Sequence, residues 1–141
     1  MRRILTCLAI AIIACIVLAV IAMAVAGPAI MGIFNSTVAL TDTSTKFMTA
    51  LKDQKYDDAY GMIATDQQAS FGGNADGVKQ LIEAMGAGNL SSWTFTSFNI
   101  TNDQGTVGGD ATFSGSTAKK TLLIVLQKVG DGWKVAGLNI K

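Results

Sequence analysis

The sequence predicts an α+β domain over residues 44–141, carried behind an N-terminal transmembrane helix, and three observations predict it. Between Arg3 and Asp42 there is no charged residue, whereas every Asp, Glu and Lys lies at or beyond Asp42. Helical apolar spacing occupies the first half of the charged part. After Asn89 the texture becomes an alternation of apolar and polar residues broken by Gly, Asn and Asp turn signals. Helices first and consecutive hairpins afterwards predict an antiparallel sheet, because a parallel sheet needs a crossover between each pair of strands.

The apolar run Ile4 to Ala26 holds 23 residues, with only Thr6, Cys7 and Cys15 as polar interruptions. About 20 apolar residues cross the hydrocarbon core as a helix. Arg2 and Arg3 precede the run, so the positive-inside bias leaves the N-terminus in the cytoplasm and the domain outside. Residues 1–26 are then a cytoplasmic stub and span, 27–43 a juxtamembrane linker beginning at Gly27-Pro28, and 44–141 the extracytoplasmic domain. Two other readings stand beside this one. Ala24-Val25-Ala26 has the small-x-small form of a signal-peptidase site, which would release a secreted domain after Ala26. Ile12-Ile13-Ala14-Cys15 loosely matches a lipobox, although an apolar run rather than a polar tether follows Cys15. Within the span Cys7, Ala11, Cys15 and Ala19 recur every four residues, a small-residue stripe on which a second helix can pack.

From Thr43 the chain turns helical. Phe47, Ala50 and Leu51 share a face, and Tyr56, Ala59, Tyr60 and Ile63 share another beyond the polar corner Lys52-Asp53-Gln54-Lys55. Asp57 and Asp58 fall in the first turn of this second helix, where the helix dipole favours negative charge. Gly72-Gly73-Asn74 breaks the chain, Asp76 is placed to cap a third helix over Gly77 to Met85, and Gly86 to end it. Strand segments follow at Trp93 to Ile100, Gly105 to Phe113, Thr121 to Val129 and Trp133 to Ile140. Gly130-Asp131-Gly132 predicts a tight hairpin, the Asp-Gly pair taking the positive φ angles of a primed turn.

The helical wording Phe47-x-x-Ala50-Leu51 with Lys55-Tyr56-Asp57-Asp58-Ala59-Tyr60, and the closing hairpin Thr121-Leu122-Leu123 to Gly130-Asp131-Gly132-Trp133-Lys134-Val135, resemble one superfamily. They are similar to the membrane-anchored or exported bacterial domains of the nuclear transport factor 2-like, cystatin-like group. The resemblance covers nearly all of 44–141 and implies a curved antiparallel sheet wrapped around the helices as a cone with a cavity. That superfamily hosts enzymes, binders and scaffolds, so the fold alone does not choose among them.

Composition narrows the chemistry. With no histidine, the histidine–carboxylate pair of dehydratase relatives is absent, and with cysteines only in the apolar run there is no zinc or iron ligand set. No cofactor is therefore expected. Beyond the span nine lysines face nine aspartates and one glutamate without long runs of one sign, which argues against nucleic acid. Isomerase relatives use a cavity tyrosine with aspartates, which here leaves Tyr56 and Tyr60 beside Asp57 and Asp58. Tyr56, Tyr60, Trp93, Phe95, Phe113 and Trp133 are the candidate cavity or core residues. Asn-x-Ser/Thr triplets at Asn35, Asn89 and Asn99 are glycan acceptors in a host that glycosylates. The expected function is a non-enzymatic binding or scaffolding domain tethered to the outer face of a prokaryotic cytoplasmic membrane. Its expected partners are membrane lipid and either another protein or a small apolar ligand. An accessory single-span subunit of a membrane complex and a small-ligand isomerase or hydrolase are the alternatives.

Overall fold

The computed structural model describes residues 35–86 and 88–141. The expected membrane segment, with Cys7, Ala11, Cys15 and Ala19, lies outside them. Among the described residues no helix is long and apolar enough to cross a membrane. The chain divides into two compact units, Met1–Ser36 and Thr37–Lys141, and the second is α+β.

Among the described residues the first helix, α1, covers 35–52 and lies in this second unit from Thr37 onward. Leu40, Ser44, Phe47, Met48 and Leu51 recur on one face at helical spacing, and all are buried. Packing therefore begins within the stretch that the sequence reads as linker, before Ser44. An uncharged stretch serves a buried helix face as well as a lipid-facing one. Ser44, the one polar residue buried among those described, satisfies its hydroxyl locally by donating to the Leu40 carbonyl at 2.9 Å.

Helix α2, Tyr56–Gly61, carries Asp57 and Asp58 in its first turn as expected. It stops at Gly61, so Ile63 leaves the helix and forms a parallel bridge with Val135. A turn of 3₁₀ helix over Gln68–Phe71, absent from the sequence reading, buries Phe71 and ends on Gly72 at φ 88°. Helix α3 spans Ala75–Ala84. Its cap is Asn74 rather than Asp76: Asn74 has extended backbone and accepts from the Gly77 N–H at 2.8 Å, while Asp76 lies inside the first turn.

Four strands follow: β1 Leu90–Thr101, β2 Gln104–Phe113, β3 Lys119–Val129 and β4 Gly132–Ile140. They form one antiparallel sheet in the order β1-β2-β3-β4. The last hairpin turns on Gly130 and Asp131, and it is Gly130 at φ 63° that takes the left-handed conformation. This is the glycine-first pattern of a two-residue turn, in place of the expected Asp-Gly one.

Because directly opposed residues in an antiparallel pair point to the same face, the register identifies the two faces of the sheet. Val107, Ala111, Phe113, Leu122, Ile124, Leu126, Trp133, Val135 and Ile140 lie on one face, and all are buried with α1 and α3 residues in a single core. Three register irregularities bend the ladder: two on β1, at Ser91 and Thr96, and one opposite Val125-Leu126. Each extra residue sharpens the local twist and curves the sheet around its apolar face. Two glycines permit the close approaches. A Cβ on Gly105 would collide with the Leu40 side chain, and one on Gly109 would collide with the Thr94 carbonyl beside the second bulge.

Replacing Gly109 by alanine should therefore cost about 1–3 kcal/mol, because the obstructing atom is backbone and cannot rotate away. Gly132→Ala, where nothing lies within 4 Å of the added methyl, is the control expected to change urea-unfolding stability far less.

Candidate functional site

The bulges decide where the β1 side chains point. Simple alternation over twelve residues would send Trp93 and Phe95 to one face and Leu90, Phe98 and Ile100 to the other. The extra residues Ser91 and Thr96 each reverse that parity. Leu90 pairs with Phe113, Trp93 with Ala111, Phe95 with Gly109, Phe98 with Val107 and Ile100 with Gly105. All five therefore share the concave face with the core. The opposite, convex face of β1 carries Ser92, Thr94, Ser97, Asn99 and Thr101, with Ser92 and Thr112 hydroxyls 2.6 Å apart.

Burial along this strip is incomplete. Leu90 is buried, Trp93, Phe95 and Ile100 are half-buried against the core, and Phe98 is 42% exposed. Phe95 and Phe98 meet edge to face, ring centroids 6.3 Å apart at 76°. The strip is a row of large apolar side chains on the concave face, packed against the core and most exposed at Phe98.

The other candidates separate from it. Phe113 and Trp133 are core residues, and Phe113 also carries the Lys120 ammonium 5.4 Å from its ring centroid. That ammonium donates to the Met85 carbonyl at 3.1 Å, tying the end of α3 to the sheet. Tyr60 is half-buried, and its single hydroxyl proton is shared between the Gly73 carbonyl at 2.8 Å and Gln68 Oε1 at 3.0 Å. Tyr56 lines a recess of about 400 Å³ with Gln54, Lys79, Glu83 and Asn89. Burial, reinforced by the Glu83 carboxylate, raises its phenol above the ordinary value of 10.0. A second groove, about 560 Å³, runs between α1 and α2 past Lys46, Asp53, Lys55, Asp57 and Asp58.

Asp57 and Asp58 are exposed, and Tyr60 is engaged by Gln68 and Gly73 rather than aimed at them. The tyrosines and aspartates thus sit on the helical surface, while the aromatic strip sits on the sheet. Among the described residues no three His, Cys, Asp or Glu side chains gather to hold a metal. Asn35, Asn89 and Asn99 are all exposed, Asn99 on the convex face of β1.

Three helices and a 3₁₀ turn on the concave face of a bent four-stranded antiparallel sheet make this an NTF2-like fold. A protein of unknown function described as NTF-2 like, from Shewanella oneidensis MR-1, superposes with a TM-score of 0.55 at 12% identity, covering 74% of this chain and 98% of its own. A five-substitution NTF2 variant designated Rd1NTF2_05 superposes at 0.53 with 13% identity, over 76% of this chain and 99% of its own. No protein-family model and no curated protein matches the chain. Identity this low carries the fold and nothing about activity.

Phenolate absorbance should show Tyr56 ionising above the ordinary tyrosine value in a Tyr60→Phe background. Glu83→Gln should bring it only part of the way back, since burial is the larger cause. The neutral phenol is the form favoured by folding. Tyr56 therefore contributes its stability in full below pH 10.0 and loses it as pH rises through the folded-state value. Chemical denaturation of Tyr56→Phe should show a shallower decline over that alkaline window.

Proposed function

We propose that this chain is a non-enzymatic binding domain, tethered by its N-terminal apolar helix to the outer face of a prokaryotic cytoplasmic membrane. It holds a small apolar ligand against the concave strip of β1. The tether rests on the uncharged run Ile4 to Ala26 behind Arg2 and Arg3. The observation that carries the binding role is the strip itself. Two bulges keep Trp93, Phe95, Phe98 and Ile100 on the core face, yet the core leaves them partly uncovered. A sheet stabilised for its own sake would bury such residues, each of which is worth about 1.5–3 kcal/mol when fully withdrawn from water.

The groups around the strip suit binding rather than bond making. The β1 strand has no ionisable side chain, and its polar residues are hydroxyls and one amide on the opposite face. An apolar ligand placed there gains area burial and aromatic contact, the two interactions that chiefly hold ligands in concave apolar sites.

Two measurements test the two halves of this reading. A diazirine-bearing hydrocarbon probe, photolysed with the full-length protein in lipid nanodiscs, should label the Leu90–Thr101 peptide. Phe98→Ser with Ile100→Ser should lower that labelling about tenfold, equivalent to about 1.4 kcal/mol of lost affinity. Leu123→Ser, at an exposed apolar residue of the convex face, should leave it unchanged. Labelling spread evenly over both faces would rule the strip out. In spheroplasts, externally added protease should remove the domain and leave a membrane-embedded fragment that begins at Met1. A mature protein that begins at Gly27 would dispose of the tether.

A further inference from the structure

We propose that β1 is a docking edge for a second copy of this chain, the two β1 strands pairing antiparallel across a two-fold axis near Asn99. The sheet has two edges, β1 and β4, and they are treated differently. The β4 edge is met at Val135 from within the chain. Val135 donates to the Met62 carbonyl at 2.9 Å and accepts from the Ala64 N–H at 2.8 Å, and the Lys134 ammonium reaches the Gly61 carbonyl at 2.8 Å. Among the described residues β1 pairs with β2 alone.

Proteins usually guard a free edge with charge, proline or brevity. At twelve residues β1 is the longest strand of the sheet, and it carries no charged residue and no proline. The other three strands each contain at least one charge: Asp110 in β2, three lysines in β3 and Lys134 in β4. The one guard that β1 has is its pair of bulges, and both lie before Ser97. Ser97–Thr101 is therefore a bulge-free template.

That template is complementary to itself. With the axis at Asn99, Phe98 on the concave face stands beside the partner's Ile100, so that the two strips join side by side into one apolar surface still open to a ligand above the strands. On the convex face Ser97 meets the partner's Thr101 and the two Asn99 side chains meet each other. Hydroxyl and apolar cross-strand pairs of this kind are favourable, and no like charges are brought together. Because the same segment of each copy meets its symmetry mate, the contact is isologous and uses up the β1 edge of both copies. It closes at two instead of growing into a fibre.

The test is the mass of the full-length protein in non-ionic detergent, measured by light scattering across concentration. A dimer is expected. Asn99→Lys and Asn99→Asp, confirmed folded by circular dichroism, should each raise its dissociation constant at least tenfold, because like charges then meet on the axis. Mixing the two variants should restore a heterodimer, which a merely misfolded strand would not do. Leu123→Lys on the convex face should leave the dimer intact, as should the combined Ala11→Leu, Cys15→Leu and Ala19→Leu change in the apolar run. A monomer at every concentration would overturn the proposal. So would a dimer insensitive to Asn99→Lys and Asn99→Asp, variants that fail to pair when mixed, or a dimer abolished by the convex-face or apolar-run changes.

Discussion

Everything in this domain depends on one constraint: the sheet has a single apolar face, and every strand must deliver its large side chains to it. For β2, β3 and most of β4 simple alternation suffices, giving Val107, Ile124 and Val135 as a buried row. The β1 strand does not alternate in phase with its own apolar residues. Ser91 and Thr96 correct the phase by dropping out of the ladder. The same two residues curve the sheet, and the curvature gives α1 and α3 a concave surface to fill. Phase correction and cone shape are one event, made sterically feasible by the bare backbone of Gly109 against the Thr94 carbonyl.

From this arrangement follows the division of labour over the surface. The interior between helices and sheet is packed with aliphatic and aromatic groups, and its one polar side chain among the described residues is turned back onto its own helix. Ionisable residues are left to the outer faces of the helices, to the turns and to the strands other than β1. On the concave face, partly uncovered apolar side chains run along β1.

Much of the architecture was legible in the sequence because it rests on local signals. Three of the four strands start within two residues of the expected points, Asp57-Asp58 opens α2, and Gly86 takes the left-handed conformation at the end of α3. What was not legible depends on tertiary partners. The start of the packed unit was hidden because Leu40 reads equally well as lipid-facing until Gly105 is placed against it. The cap of α3 was set by the extended backbone at Asn74, which the sequence reads only as part of the break before Asp76. For the candidate site, the aromatic residues of β1 could be named, but their common orientation could not, since a bulge leaves no mark in a Ser/Thr-rich strand. Phe98 was not among the candidate residues, and only the register places it beside Phe95.

The segment that covers β4 also orders events in time. The carbonyl of Gly61 waits for the ammonium of Lys134, 73 positions further along the chain, and Met62 and Ala64 wait for Val135. The end of α2 therefore has no fixed geometry until the closing hairpin exists. A chain emerging N-terminus first leaves the end of α2 without these partners until Val135 is free. Contacts of such long sequence separation form late, so the seal between α2 and β4 is a late event in folding.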